Sequence, residues 1–373
     1  MSVPVIYYHS IADHEVNHPW AFLSCPIEIF RKQMEWLSKN NYYTCTWKEL
    51  EDHISGMKIL PSKSIHIHFD DGFLDNWSVV FPIMEKYNLK YTILITPEFV
   101  EDNDIIRPFV SETKENNKSN WWGYLSKGEI SKMVEIGLVD FQAHGYTHTW
   151  YPVSSTVVDI IDNSSFYPHI YWNSDIKSKP HWLTKSDYNI EHFNEVVFEY
   201  GKSLEVDKVF IVDEEALSKV YGDLDNSLDK KLRIQKLNEA FRTEGRNIGR
   251  YETDKEKTER LTRELKSTKE EVFSLTERPC DYVVFPGGGN TKEVLGLCKK
   301  VGYKQVSKGE KLNSANSNIY QINRMTGYHD FGGRKKNLYG NLLLLRLQVK
   351  RGSGSSVVSY LISMVKRIKR LIK

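Results

Sequence analysis

Short apolar runs rich in β-branched residues alternate with segments of helical periodicity along most of the chain. The runs predict strands, and apolar positions three and four residues apart predict helices. Their alternation is typical of a parallel α/β sheet. The predicted strands span 3–8, 65–69, 91–96, 139–143, 281–285 and 319–323. The predicted helices span 27–40, 77–87, 126–136 and 292–300.

One long stretch does not fit a plain α/β barrel. Residues 149–280 separate two predicted strands by far more than the roughly 2–6 residues of an ordinary strand-to-helix loop. The stretch begins with aromatic and proline residues and continues as a charged helical region over 253–277. The apolar stripe of this region predicts packing against the barrel wall. We therefore expect a barrel over 1–333, interrupted by an insertion at 149–280, and a tail over 334–373.

Composition is ordinary for a soluble globular protein, with 40% hydrophobic and 27% charged residues among 373. These values exclude wholesale disorder and a collagen-like fibre. The net charge of +2 is too small to indicate nucleic acid as a partner. The average conceals an asymmetry, because residues 334–373 contain eleven Lys or Arg and no Asp or Glu, and the remainder carries −9. An acidic body with a basic tail indicates a partner for the tail.

The end of this tail predicts an amphipathic helix over 356–373. Its apolar positions fall three and four residues apart, and basic residues occupy the rest of its second half. A helix lying in the interface of an anionic membrane fits both features, and packing on the barrel or on another subunit is the alternative. The four cysteines form no C-x-x-C pair, and neither a signal peptide nor a run of ~20 apolar residues is found. We expect a reduced cytoplasmic protein, peripheral at the inner membrane.

The strongest chemical signal is a pair of adjacent carboxylates, Asp70 and Asp71, directly after the predicted strand 65–69. Adjacent carboxylates repel each other, and the pair is tolerable where a cation or separate hydrogen-bonding roles relieve the repulsion. A plain Asp-Asp-Gly turn is the simpler alternative.

A second signal is formed by His144 and His148, which follow the predicted strand 139–143. Histidines four residues apart can face the same side of a turn, as a metal ion requires, although two surface histidines would be a simpler explanation. A parallel barrel would bring both signals to its C-terminal face. Asp71 and the two histidines would then suit Zn²⁺, but also Fe²⁺ or another divalent ion. Asp70 would be free to act as a general base on the metal-bound water.

These residues resemble the motifs of the polysaccharide deacetylase family, also called the NodB homology family. The family's T-F-D-D-G motif corresponds to residues 68–72, where His stands in place of Thr. Its H-[S/T]-x-x-H motif corresponds to residues 144–148, where Gly145 takes the Ser/Thr place. The resemblance extends to the opening VPVIYYHS at 3–10 and to the Pro-Gly turn at 286–290.

The resemblance implies a distorted (β/α) barrel with a large insertion between the second and third motifs. It also implies Asp70 as the catalytic base, and Asp71, His144 and His148 as ligands of a divalent metal, Zn²⁺ first among them. The implied reaction is the removal of an N-acetyl or similar N-acyl group from a carbohydrate. The N-acetylated carbohydrate would be a polysaccharide, a lipid-linked glycan or a sugar derivative.

Two expected parts of the family's site are missing. The third motif usually carries an Arg that orients the catalytic Asp, and residues 284–286 have none. Arg324, after the last predicted strand, is the candidate replacement, and we expect it to make a planar two-donor contact that lysine could not reproduce. The general acid is open between His9 and His329. His9 is the better candidate, because it ends the first strand and would point into the site.

Substrate contacts are expected from Pro286 and Gly287, whose turn lets the backbone approach a ligand. Trp150 belongs to a group of aromatic residues on which sugar rings could stack, with core packing as the alternative. Two other functions remain open. One is hydrolysis of a small cyclic or linear amide, with the insertion as a roof over the site. The other is non-catalytic carbohydrate binding, against which the retained Asp70 argues, since a binding module has no need of a free carboxylate.

Overall fold

The computed structural model describes residues 2–13, 21–110, 123–167, 170, 192–222, 224, 227–243, 248–307, 321–330 and 337–358. Its strands are β1 Val5–Tyr8, β2 Ser10–Ile11, β3 Ser24–Cys25, β4 Tyr43–Thr44, β5 Ser64–Phe69, β6 Tyr91–Ile95, β7 Val139–Ala143, β8 Trp150–Ile160, β9 Val196–Lys202, β10 Phe210–Val212, β11 Gly249–Tyr251, β12 Tyr282–Val283, β13 Gln305–Ser307, β14 Gln321–Ile322 and β15 Met325–Thr326. Its helices are α1 Ile27–Lys39, α2 Trp47–Ile54, α3 Phe81–Lys86, α4 Lys127–Ile136, α5 Glu214–Gly222, α6 Lys230–Thr243, α7 Asp254–Thr262, α8 Thr268–Thr276, α9 Lys292–Val301 and α10 Leu338–Gly352.

The central sheet is a curled parallel sheet of nine strands. Its order is β14-β13-β12-β7-β6-β5-β1-β15, and β4 pairs with the start of β5. The two edge strands, β14 and β15, are separated in the chain by only Asn323 and Arg324. The chain itself therefore bridges the seam of the barrel. The predicted distorted α/β barrel is confirmed.

Alternate side chains of each strand face two different layers, as strand geometry requires. Ile67 of β5 faces outward into the large core that the surrounding helices cover. His66 and His68 of the same strand face the inside of the barrel, on the side of α2. Trp47 at the start of α2 stacks on Tyr282 of β12, with ring centroids 3.6 Å apart. These inward-facing residues form the floor of the barrel beneath the C-terminal ends of the strands.

Helix α4 shows how local sequence sets the elements around the site. Ser126 and Glu129 form a reciprocal capping box, and Gly137 ends the helix in the left-handed conformation at φ +80°. The predicted start at 126 and stop at 137 are both confirmed. The turn at Gly137 leads directly into β7, and His144 and His148 follow the end of this strand.

The insertion contributes to the structure in two ways. Strands β8 and β9 form a long antiparallel pair, which packs with β10, α5 and α6 around a small core of its own. In contrast, α7 and α8 run on through a wide helical turn at Arg263–Ser267 and place Leu261, Leu265 and Val272 in the main core. The predicted apolar stripe therefore packs on the barrel wall.

The first half of the predicted tail joins the barrel. Leu345 and Val349 of α10 pack in the main core, and Gln33 of α1 donates a hydrogen bond to the Asn341 carbonyl. Most of the predicted helix 356–373 lies outside the described residues. Among the helices that the structure describes, none combines the length and the apolarity needed to cross a bilayer.

Candidate active site

Asp71, His144 and His148 meet at the C-terminal ends of β5 and β7. Asp71 Oδ1 lies 3.1 Å from His144 Nε2 and 3.4 Å from His148 Nε2, and the potential ligand atoms lie within 4.8 Å of one another. All three side chains are buried. Burial would raise the pKa of Asp71, but the two imidazoles hold it well below its usual range. The structure thus brings the predicted metal ligands together.

The chemistry of this donor set fits a divalent metal ion. His144 Nδ1 lies 3.0 Å from the Val284 carbonyl oxygen, which can only accept, so Nδ1 carries a proton and the neutral imidazole would offer Nε2 to a metal ion. A metal-binding histidine is typically held in this way by a backbone carbonyl. Asp71 Oδ1 is buried and makes no well-aligned hydrogen bond among the described residues. A cation between these electron-rich atoms would relieve their repulsion.

The backbone at the ligands is strained. Asp71 and His148 adopt left-handed φ values of +75° and +55°, which cost non-glycine residues on the order of 1–3 kcal/mol each. Gly145, between the two histidines, has φ +78°, and a Cβ there would lie 3.1 Å from Pro286 Cγ. This geometry explains why residue 145 is Gly, where the family motif that residues 144–148 resemble has Ser or Thr.

Asp70 lies beside the ligands and contacts two other predicted residues. Arg324 Nη1 donates to its two carboxylate oxygens at 2.8 and 2.6 Å, and His9 Nε2 lies 3.5 Å from Oδ2. Burial raises the pKa of Asp70, but the positive charge of Arg324 and the nearby histidines lower it by more than burial raises it, to about 2. Asp70 is therefore an ionised carboxylate at neutral pH, as a proton acceptor must be.

The contact from Arg324 differs from the expected two-donor fork. A single nitrogen, Nη1, reaches both oxygens of Asp70, and the same nitrogen lies 3.3 Å from His68 Nε2. The guanidinium carbon lies 4.4 Å from the ring centroid of Tyr7. Arg324 thus lies over the Tyr7 ring and directs one nitrogen at the carboxylate.

The two candidates for the general acid lie in different surroundings. His9 is next to Asp70, and its backbone carbonyl accepts a hydrogen bond from Asn76 Nδ2 at 3.1 Å. Burial lowers the pKa of His9, while Asp70 opposes this effect. His329 is exposed, and its described hydrogen bonds lead to Asp330 and Asn341 rather than to Asp70. The geometry favours His9.

Glu264 is a part of the site that the sequence patterns did not reveal. Its carboxylate accepts hydrogen bonds from the backbone N–H groups of Tyr146 and Thr147, at 2.9 and 3.2 Å, and from the Thr147 hydroxyl. The side chain is 2% exposed and comes from the wide helical turn between α7 and α8. The insertion therefore supplies the group that fixes the loop between His144 and His148.

Glu264→Ala is expected to weaken metal binding by about 10–100-fold, because groups that hold ligands in place typically have effects of this size. Glu264→Gln keeps one acceptor oxygen and should have a smaller effect. Competition with a chromophoric chelator measures both affinities. Glu270→Ala, on the exposed side of α8 where Glu270 forms an ion pair with Lys266, is the matched control and should bind metal like the wild type. Wild-type affinity in Glu264→Ala would contradict the role.

The three predicted substrate contacts lie close to one another at the rim of the site. Lys202 of β9 donates to the Gly287 carbonyl at 2.8 Å, and its ammonium lies 5.6 Å from the ring centroid of Trp150. Trp150 is half-buried and Gly287 is exposed at this rim. Pro286 is buried and lies against the loop between His144 and His148.

The family model for polysaccharide deacetylase matches residues 58–185. A poly-β-1,6-N-acetyl-D-glucosamine N-deacetylase of Staphylococcus epidermidis is 27% identical over 158 residues, which cover 42% of this chain and 47% of that protein. The Bacillus subtilis protein YxkH, named for the same family, is 34% identical over 93 residues, or 25% of this chain and 31% of that protein. The matches therefore span less than half of these curated relatives.

Solved structures of similar fold cover most of the chain. A de-N-acetylase from Aggregatibacter actinomycetemcomitans superposes with a TM-score of 0.53 at 13% identity, over 87% of this chain and 94% of that one. The deacetylase domain of BpsB from Bordetella bronchiseptica gives a TM-score of 0.52 at 15% identity, over 87% and 95% of the two chains. At such identities the likeness concerns the fold, and it agrees with a distorted barrel.

Proposed function

We propose that this chain, whose residues 58–185 belong to the polysaccharide deacetylase family, hydrolyses an N-acetyl or similar N-acyl group on a carbohydrate. The observation that carries the proposal is the ionised Asp70 directly beside the buried donor set of Asp71, His144 and His148. The relatives from Staphylococcus epidermidis and Escherichia coli, named as poly-N-acetylglucosamine deacetylases, support a sugar amide as the substrate.

The chemistry divides among four kinds of group. A divalent ion held by Asp71, His144 and His148, for which Zn²⁺ is our first candidate, supplies Lewis acidity towards the acyl carbonyl and the attacking water. Asp70 accepts the proton of that water, and Arg324 holds the carboxylate in place. His9, 3.5 Å from Asp70, protonates the nitrogen of the sugar so that it leaves as a neutral amine rather than as an anion.

Acetate release from a panel of N-acetylated mono- and oligosaccharides tests the proposed function. The zinc-loaded protein is expected to release acetate from at least one sugar, and chelation should remove the activity. Asp70→Asn, prepared in parallel, is the control for contaminating enzymes. Hydrolysis of small cyclic or linear amides without any sugar substrate would instead favour the small-amide alternative. Sugar binding without turnover on any substrate would favour a carbohydrate-binding protein.

We further propose that the tail docks this enzyme on an anionic membrane surface. Val357, in the described start of the predicted helix 356–373, is 67% exposed. Eleven basic and no acidic residues over 334–373 give the same part of the chain a strong positive charge. Each basic residue near an anionic leaflet contributes about 1 kcal/mol. A lipid-linked glycan would be a substrate available at such a surface.

The full-length protein is expected to co-sediment with vesicles that contain anionic lipid, and a form that ends at Gly352 is expected to stay in solution. The shorter form should keep its activity on a soluble substrate, since no proposed site residue follows Gly352. Vesicles of neutral lipid are the matched control, because charge attraction requires the anionic headgroups. If both forms stay in the supernatant at low salt, the tail belongs to the fold or to a protein interface.

A further inference from the structure

The floor of the barrel, one layer below Asp70, contains polar groups that the proposed mechanism does not use. Five polar atoms there have no hydrogen-bond partner within the described part of the chain, and their residues are all fully buried. Buried polar groups are nearly always paired, so each exception needs an explanation. The atoms are His66 Nε2, His68 Nδ1, Thr92 Oγ1, Tyr282 Oη and Gln305 Nε2.

These atoms come from neighbouring places in the sheet. His68 pairs with Thr92 across β5 and β6, and Tyr282 pairs with Gln305 across β12 and β13. The ring centroid of His68 lies 5.7 Å from that of His66 and 6.3 Å from that of Tyr282. The unpaired atoms therefore share the interior of the barrel rather than being scattered through the fold.

The partners that these residues do have set the proton positions on both histidines. His66 Nδ1 lies 3.0 Å from the Cys45 carbonyl oxygen, so it carries the proton and Nε2 is an acceptor. His68 Nε2 lies 3.3 Å from Arg324 Nη1, which can only donate, so Nε2 accepts and the proton is on Nδ1. Nδ1 of His68 is thus a buried N–H donor that points into the barrel floor.

The resulting set mixes donors and acceptors. His68 Nδ1 and Gln305 Nε2 donate, since Gln305 Oε1 already accepts from the Trp47 indole at 2.8 Å. His66 Nε2 accepts, and the hydroxyls of Thr92 and Tyr282 can do both. Two N–H donors argue against a metal ion, and the set contains no cation to balance an anion. Water, which donates and accepts and typically makes about three such bonds when buried, matches the set.

We propose that ordered water in the barrel floor holds His68 in the Nδ1-protonated form, and that His68 is a positioning residue for Arg324. In this form Nε2 accepts from the same Arg324 nitrogen that contacts Asp70. The opposite tautomer would place a hydrogen between Nε2 and Arg324 Nη1 and push the guanidinium away from the carboxylate. The inference rests on the proposed deacetylation only for its kinetic test.

Three substitutions separate the two nitrogens of His68. His68→Gln can place an oxygen near the position of Nε2, His68→Asn can place a donor near Nδ1, and His68→Leu provides neither. We expect Asn and Leu to lower kcat by about 10–100-fold at unchanged KM and metal content, and Gln to keep most of the activity. In an Arg324→Ala background, His68→Leu should cause little further loss, because its effect acts through Arg324. An equal loss in both backgrounds, or equal impairment of Gln and Leu, would overturn the positioning role.

Two measurements do not depend on activity, so they distinguish failure of this inference from failure of the proposed function. Nitrogen NMR of ¹⁵N-histidine-labelled protein, with His68→Gln to assign the signals, is expected to show a protonated Nδ1 and a bare Nε2. A high-resolution crystal structure is expected to show water within hydrogen-bond distance of His68 Nδ1. A protonated Nε2, or a barrel floor without ordered water, would contradict the proposal.

Discussion

Asp70→Asn is expected to lower kcat by about 10²–10⁴-fold while the protein keeps its full metal content. The amide cannot accept a proton from water, but the substitution leaves the neighbouring donor set unchanged. His148→Ala is expected to lower both kcat and the metal content, because it removes one of the three side chains whose potential ligand atoms lie within 4.8 Å of one another. The two variants therefore separate the proton acceptor from the metal ligands, although Asp70 and Asp71 are adjacent in the chain.

Metal per chain by mass spectrometry and acetate release on the best sugar substrate measure these effects. Asp140→Asn makes the same chemical change in β7, where Asp140 contacts Gln142, and should retain activity. His192→Ala, on the insertion beside Glu195, is the matched control for histidine loss and should retain its metal. Equal metal loss in Asp70→Asn and His148→Ala would contradict the assignment of Asp70 as proton acceptor and Asp71 as metal ligand.

Arg324→Ala is expected to lower kcat by about 10²-fold, since a misplaced catalytic group costs an amount of this order. The charge of Arg324 is the largest influence that holds down the pKa of Asp70 against burial. Without it the pKa of Asp70 rises from about 2, so the acidic limb of the pH–activity profile should move towards neutral pH. Arg324→Lys keeps the charge but loses the flat contact with Tyr7, which lies 4.4 Å away.

We therefore expect the lysine variant to be intermediate, at about 10-fold below wild type, with a smaller movement of the acidic limb. The reason is that a single nitrogen of Arg324 contacts Asp70, and the lysine ammonium can also supply one nitrogen. A contact through two guanidinium nitrogens would have made Arg324→Lys as damaging as Arg324→Ala. Profiles of kcat against pH for the three proteins decide the matter. Wild-type turnover in Arg324→Ala would remove this residue from the site, and equal profiles for alanine and lysine would assign its effect to shape rather than to charge.

The candidate metal donor set could be predicted from the sequence because Asp71 and His144 come within two residues of a strand end, and His148 follows His144 by four residues. In a parallel sheet these strand ends meet at one edge, so Asp71, His144 and His148 converge without any knowledge of side-chain contacts. The position of Arg324 followed from the same rule. Its single-nitrogen contact did not, because that geometry depends on how the Tyr7 ring packs against the guanidinium.

Glu264 could not be predicted from local pattern, since it lies 117 residues from the Thr147 that it contacts. A weak signal exists, because Glu264 directly precedes Leu265 on the apolar stripe that packs against the barrel. A carboxylate on a buried face requires partners. The β8–β9 pair was missed for a different reason: most residues of β8 are half-exposed, so apolar and polar positions do not alternate cleanly.

The local stability of the candidate active site depends on the seam of the barrel, where the edge strands β14 and β15 meet. β14 and β15 contribute two residues each, and they hold the segment around Arg324 to β13 and β1 through a few backbone pairs. Short edge pairings belong to the parts of a protein that open locally well before global unfolding. Such an opening would carry Arg324 away from Asp70 while the strands that hold the metal donors stay intact. Moderate heating would then remove the proposed activity reversibly, at temperatures where the core and the candidate metal donors are still folded.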